Sequence, residues 1–184
     1  MKLLVLVMLA GCAGPIEGIT RTTGAVAIDG DRVRGGEVAV AGGFAGVQVA
    51  FDVSGQQLSR EEPEAGPGFV RRNKGFGIDL GLRASLFGVL NPRGDHRIER
   101  WFDLGAAVSG GGGFVKPARL ETFSQGWVGG WVEFGLFPSQ PRHRYPVLVL
   151  EVRRAEITDW DNATVFVIGL GLARRSPDFK LPTD

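Results

Sequence analysis

Apolar side chains alternate with small or polar ones along most of this 184-residue chain. Over Phe76–Phe87, every even-numbered position from Phe76 to Leu86 is apolar, and the odd-numbered positions between them hold glycine, aspartate, arginine or serine. A period of two is that of a β-strand, in which successive side chains point to opposite faces. No stretch of comparable length repeats at the helical period, so the sequence predicts an all-β protein.

The alternating pattern recurs often enough to predict eight strands. Besides Phe76–Phe87 it covers five clear segments and two weaker ones, at about 22–29, 33–41, 46–54, 102–109, 128–136, 145–154 and 165–172. Asp29-Gly30-Asp31 and Gly42-Gly43 are predicted tight turns, since glycine accepts the positive φ that short hairpins require. A single strand over Gly36–Ser54 is the alternative and would leave seven strands.

The composition of the polar face indicates which face lies inside. A soluble sheet would carry lysine, threonine, serine, glutamine and glutamate there, but this face holds mostly glycine, alanine and single charges. Small residues with sparse charges suit the narrow interior of an eight-stranded barrel, in which buried charges must pair. We predict an antiparallel up-and-down β-barrel of about eight strands that spans a membrane. Its predicted lumen charge network comprises Asp52, Asp79, Arg83, Asp103, Glu133, Glu151 and Arg153.

The predicted connections alternate between the two ends of this barrel. With the N-terminus on the periplasmic side, the outer connections are 30–32, 55–73, 110–125 and 158–162, and the inner ones are 42–43, 88–97 and 138–144. The two longest both lie outside, as is usual for outer-membrane barrels. A soluble β-sandwich or lipocalin-like barrel that binds an apolar ligand in the periplasm is the alternative, with the apolar face turned inward.

Aromatic residues cluster near the ends of the predicted strands, which resembles the aromatic girdles of outer-membrane β-barrels. These residues are Phe76, Phe87, Trp101, Trp127, Phe137, Tyr145 and Trp160. Aromatic side chains also close the ends of ordinary β cores, so that interpretation stays open. The segment Ile168-Gly169-Leu170-Gly171-Leu172 is similar to the closing strand of such barrels, although a polar tail from Arg174 to Asp184 follows it.

The N-terminal stretch indicates the compartment. Lys2 precedes an apolar run, Leu3–Ala10, that is too short to span a bilayer and fits a signal peptide. Leu9-Ala10-Gly11-Cys12 resembles the lipobox of bacterial lipoproteins, a family in which the cysteine thiol receives a diacylglycerol and the chain is cut before it. The resemblance implies a lipidated Cys12 on the bacterial outer membrane. The alternative is a free thiol after an ordinary secretory signal.

These patterns divide the chain into a signal peptide (1–11), a lipidated tether (12–20), one β-barrel domain (21–175) and a polar C-terminal tail (176–184). We predict a structural role or an interaction role carried by loops, with outer-membrane lipids as partners and envelope protein or lipid contacts through the connection 55–73. Charge is nearly balanced, at 21 basic and 20 acidic residues, which disfavours nucleic acid as a partner. We expect no catalytic residues, metal or cofactor, because His96, His143 and Cys12 have no ligand or triad spacing.

Overall fold

The computed structural model describes residues 16–29, 32–44, 46–90, 101–116, 121–136 and 145–179. These residues form a closed barrel of eight antiparallel strands, each paired with its neighbours in sequence, and the first strand pairs with the last. The strands are β1 (Ile16–Asp29), β2 (Arg32–Phe44), β3 (Val47–Glu61), β4 (Val70–Ser85), β5 (Phe102–Val115), β6 (Glu121–Gly135), β7 (Tyr145–Ile157) and β8 (Ala163–Phe179). This confirms the predicted all-β, eight-stranded barrel, and the seven-strand alternative is wrong.

The polarity of the two faces is the inverse of that of a soluble protein. Aspartate, glutamate and arginine side chains are buried inside the barrel, whereas leucine, valine and phenylalanine cover its outer wall. On β4, for example, Asp79 is 2 % exposed and the adjacent Leu80 is 61 % exposed. The soluble alternative needs the apolar face inside, so the structure does not favour it.

The strands are longer than the alternating pattern indicates. β1 begins at Ile16 rather than near Thr22, and the predicted connections 55–73 and 110–125 shorten to 62–69 and 116–120 because β3, β4, β5 and β6 extend into them. Glycine has no side chain to show a period, yet Gly110–Gly113 pair with both β4 and β6 through the backbone. Ladder hydrogen bonds therefore continue where the pattern of side chains stops.

The turns also differ from those predicted. Gly42 and Gly43 lie within β2, and the β2–β3 turn falls three residues later, where Gly46 has a φ of 78°. The longest connection, 86–101, joins β4 to β5 and starts with a short helix, α1 (Leu86–Leu90), at the end opposite the 62–69 connection. The longest connection therefore does not lie at the end that carries the 62–69 and 116–120 connections, which corrects the expectation that the two longest connections both lie there.

We call the end that carries the 30–31, 62–69, 116–120 and 158–162 connections the loop end, and the opposite one the turn end. The predicted connections 88–97 and 138–144 lie wholly or largely outside the described residues, as do Cys12 and the last five positions of the tail. Within the described part of the chain, no helix is long and apolar enough to cross a membrane.

Candidate functional site in the barrel interior

Arg153 is the centre of the first cluster of charges inside the barrel. Its guanidinium donates two parallel hydrogen bonds to Glu37, of 2.6 and 2.8 Å, and two more to Glu151, of 2.9 and 3.2 Å. The same group lies over the ring of Trp127, 4.2 Å from its centroid. Because Glu37 is on β2 and Arg153 on β7, this pair of hydrogen bonds crosses the lumen and ties opposite walls together.

A second cluster surrounds the indole of Trp131, which is 2 % exposed. The guanidinium groups of Arg21 and Arg83 lie 4.7 and 4.8 Å from its ring centroid, within the range of cation–π attraction. Arg21 pairs with Glu133 at 2.6 Å and with Asp103 at 3.3 Å, and Arg83 pairs with Glu151 at 3.4 Å. Glu151 therefore joins this cluster to the one around Arg153.

The acidic side chains of the lumen outnumber the basic ones. Among the described residues, the buried charged groups comprise six carboxyl groups and three guanidinium groups. Asp52 and Asp79 face each other directly across the β3–β4 ladder, and no arginine of the described chain lies within ion-pair distance of either. Gln125 donates a 2.6 Å hydrogen bond to Asp79. This pair of carboxyl groups therefore differs from the arginine clusters, in which each carboxylate faces a guanidinium group.

All seven residues of the predicted network lie inside the barrel, although they do not form one network. Arg83, Glu151 and Arg153 are linked by ion pairs, Asp103 and Glu133 meet at Arg21, and Asp52 and Asp79 stand apart as a pair. Asp103 also accepts a 2.7 Å hydrogen bond from the hydroxyl of Ser85.

Two residues that complete these clusters, Arg21 and Glu37, are absent from the predicted set. Arg21 lies at the boundary of the predicted tether, and Glu37 lies in a weakly alternating segment. Alternation extended one residue back from Thr22 would have placed Arg21 on the lumen face. Glu37 shares its face with Ala39 and Ala41, both buried.

The loop end of the lumen is closed by apolar side chains. Leu58 and Val115 are fully buried there, and Phe123, Ile157 and Trp160 pack in the same cluster. The backbone N–H of Asp161 donates to the carbonyl of Ser59 at 2.9 Å, so the β7–β8 connection touches β3 across the mouth. Beneath this plug a cavity of about 50 Å³ is lined by Glu37, Asp79, Gln125, Arg153 and apolar neighbours. It has room for a few water molecules.

The aromatic residues predicted to form girdles fall into two groups. Trp101 is 62 % exposed, Phe76 stacks on Phe114 near the loop end, and Phe87 contacts Phe102 near the turn end. Trp127, Tyr145 and Trp160 are buried instead, which corrects the prediction for these three; Phe137 lies outside the described residues. Trp127 shares the odd-numbered face of β6 with Trp131 and Glu133, so its register, which the prediction ignored, already indicated the lumen.

Comparisons with known proteins give distant structural matches. No protein-family model and no curated protein matches this sequence. The attachment invasion locus protein Ail of Yersinia pestis, solved with the heparin analogue sucrose octasulfate, is similar with a TM-score of 0.44 and 13 % identity, over 89 % of this chain and 100 % of Ail. Neisserial surface protein A gives a TM-score of 0.47 and 12 % identity, over 86 % and 96 %.

A major outer membrane protein from Thermus thermophilus matches with a TM-score of 0.40 and 13 % identity, over 86 % of this chain and 99 % of that one. Similarity at this level assigns neither a function nor a ligand to this chain.

The chemistry that the lumen can perform is limited by the contacts that hold its three guanidinium groups in place. Each guanidinium group meets at least one carboxylate and an indole ring, which fixes its position. Within the described ranges, no group of three or more His, Cys, Asp and Glu side chains could hold a metal ion. The arrangement therefore suits cross-bracing of the barrel walls.

Proposed function

We propose that this protein is a lipid-anchored β-barrel of the bacterial outer membrane, with a structural role or an interaction role carried by its loop end. The barrel would cross the bilayer, and Cys12 would carry a second, lipid attachment. The interior would stabilise the barrel rather than catalyse a reaction, since its three buried guanidinium groups are committed to carboxylates and indole rings.

The single observation that carries this proposal is the inverted polarity of the barrel. Leu80 and Leu170 are more than 60 % exposed and belong to a continuous apolar outer wall, while nine charged side chains of the described residues are buried inside. Water would oppose both the exposed apolar wall and the buried charges, in that order, because it favours the burial of apolar groups and the exposure of charged ones. A bilayer favours the first, and closure of the barrel leaves no unpaired strand edge in the hydrocarbon.

The positions of the outward-facing aromatic residues support the same interpretation. Phe76 and Phe114 stack at 5.5 Å near the loop end of the wall, and Phe102 and Phe134 lie at 5.5 Å near its turn end. Aromatic rings at both borders of an apolar band are typical of proteins that meet two membrane interfaces.

The loop end offers the surface for an interaction role. The β3–β4 hairpin continues past the point where β2 stops pairing with β3, and ends in the 62–69 connection, with a 3-10 turn at Pro63–Ala65. Arg71 braces it by ion pairs of 2.9 Å to Glu62 and 3.8 Å to Glu121. Phe69, at the end of the connection, is half exposed. A braced hairpin with an exposed aromatic residue at the base of its tip can present a fixed surface to an envelope partner.

The lipid anchor is tested by Cys12→Ser. Labelled fatty acid is expected to enter the wild-type protein and to be absent from the variant, because serine has no thiol to form the thioether. The measurement is the label in the immunoprecipitated protein. Label that persists in the variant at the wild-type level would show that the fatty acid is attached at another residue.

Membrane insertion is tested by replacing residues 1–12 with a cleavable secretory signal that lacks a lipobox. The unlipidated protein is expected to sediment with outer membranes, to resist alkaline and urea washes, and to migrate differently on gels with and without boiling. An apolar wall in contact with acyl chains holds the protein without the anchor.

Aggregated protein also sediments, so the pelleted protein must also show the boiling shift, which is the difference in gel migration with and without boiling. Recovery of a folded monomer in the soluble periplasmic fraction would reject the transmembrane barrel.

A further inference from the structure

Three basic side chains form an unpaired cluster on the outer wall at the loop end. Arg72 and Lys74 point outward from β4. Lys116 lies opposite Lys74, and the backbone N–H of Lys116 donates to the backbone carbonyl of Lys74 at 3.1 Å. All three are exposed, and none forms an ion pair within the described part of the chain. Two acidic residues of this region, Glu62 and Glu121, pair with Arg71 instead. Like charges directly opposite each other destabilise a sheet, so this cluster favours an anion.

A groove in the apolar wall begins beside this cluster. It has a volume of about 420 Å³, and its floor is made of glycine where larger side chains would fill it. The groove is lined by Gly24, Gly36 and Gly55 on the floor and by Val26, Val38, Val53 and Phe76 at the sides. Phe76 and Lys74 share the outward face of β4 and lie two residues apart, which is about 7 Å along a strand.

We propose that the cluster and the groove together bind one phosphate-bearing acylated lipid of the leaflet at the loop end. The phosphate contacts Arg72, Lys74 and Lys116, and an acyl chain lies in the groove floored by Gly36 and Gly55. This inference rests on the proposed transmembrane function, because it needs the wall to face a bilayer.

The placement of charge favours a lipid over a second copy of the chain. A symmetric pair of copies joined at this groove would bring two sets of three positive charges towards each other, which opposes association. A phosphorylated lipid supplies the opposite charge at the membrane interface and an apolar chain below it. One lipid molecule then occupies both the basic cluster and the groove.

The head-group half is tested with Lys74→Gln combined with Lys116→Gln. The probe is phosphatidic acid, bound to the folded full-length chain in non-ionic detergent and measured by native mass spectrometry. Each lysine near a membrane surface contributes about 1 kcal/mol towards an anionic lipid, so the Kd is expected to rise about thirtyfold. Arg154→Gln is the matched control, since Arg154 is an exposed arginine of β7 that bonds to Thr164 and lies away from the groove. Its Kd is expected to stay at the wild-type value.

The acyl half is tested with Gly55→Leu, which fills the groove. A side chain fits at Gly55, because the nearest atom to a Cβ there is the Gly36 carbonyl oxygen at 3.8 Å. Excluding about two methylene groups from the groove should raise the Kd about tenfold. Gly110→Leu is the matched control, with the same 3.8 Å clearance on a different part of the wall. Phosphatidylcholine, whose phosphate is neutralised by choline, is expected to bind weakly to every variant.

Several results would overturn the inference. Unchanged Kd values in both test variants would show that phosphatidic acid does not bind at this site. A loss of affinity confined to the lysine variant would show that the head group binds but that no acyl chain occupies the groove. Displacement by inorganic phosphate at the same concentration as phosphatidic acid would indicate an anion site only. A dimer that Gly55→Leu abolishes would assign the groove to a second copy. The boiling shift, recorded for each variant, separates these outcomes from failure of the barrel to insert.

Discussion

Arg153→Ala is expected to lower the free energy of unfolding by about 3–5 kcal/mol, the range for breaking a buried ion pair by removing one partner. Alanine would leave Glu37 and Glu151 buried without the four hydrogen bonds that Arg153 gives them, and Glu37 lies near Asp52 and Asp79. It would also remove the guanidinium from the face of Trp127. Denaturant unfolding of the refolded protein in detergent micelles, followed by tryptophan fluorescence, measures the difference.

The adjacent residue provides the control for this substitution. Arg154 faces outward, is exposed, and donates a 3.1 Å hydrogen bond to Thr164. Arg154→Ala should change the free energy of unfolding by less than about 1 kcal/mol, as exposed polar contacts do. Equal losses in the two variants would mean that Arg153 is hydrated, and would remove the argument that the lumen braces the barrel.

The faces of the strands could be predicted from the sequence because each face meets a different environment. Over Phe76–Ser85 of β4 and Val132–Gly135 of β6, apolar residues alternate with charged or small ones, and the structure places them outside and inside in that order. A slip of one residue would reverse every side chain, so the register of these strands is strongly determined. The lumen positions of Asp79, Arg83 and Glu133 follow from the pattern alone.

The ends of the strands could not be predicted in this way, because their determinants are backbone hydrogen bonds. Gly110–Gly113 carry no side-chain signal, yet they pair on both sides within the barrel. Polar residues from Gly55 to Glu61 resemble a loop, but β3 and β4 pair residue by residue up to Glu61 and Val70. Pairing between distant segments outweighs local composition there.

The ion-pair partners within the lumen also could not be predicted from the pattern of a single strand. The pairing of Arg153 with Glu37 joins residues 116 positions apart, and it depends on which side chains reach across a closed barrel. Trp127 and Trp131 were visible as large residues on a face of small ones, but their stacking on arginines depends on the same closure. Sequence periodicity assigns a residue to the lumen, and three-dimensional closure selects its partner.

Leu80→Arg is expected to destabilise the folded protein in phospholipid vesicles by about 2–4 kcal/mol, the range for arginine at the lipid-facing midplane of a barrel. Leu80 is 61 % exposed and lies midway along the apolar face of β4. On a soluble protein, an arginine at so exposed a position changes stability by about 0.5 kcal/mol or less. Thr122→Arg is the control, because Thr122 is exposed on β6 opposite Phe114, at the loop-end border of the apolar belt, where an arginine costs about 0–1 kcal/mol. Urea unfolding from vesicles measures both variants. A small, equal effect in the two would place Leu80 in water, whereas a large loss confined to Leu80→Arg requires hydrocarbon around the barrel.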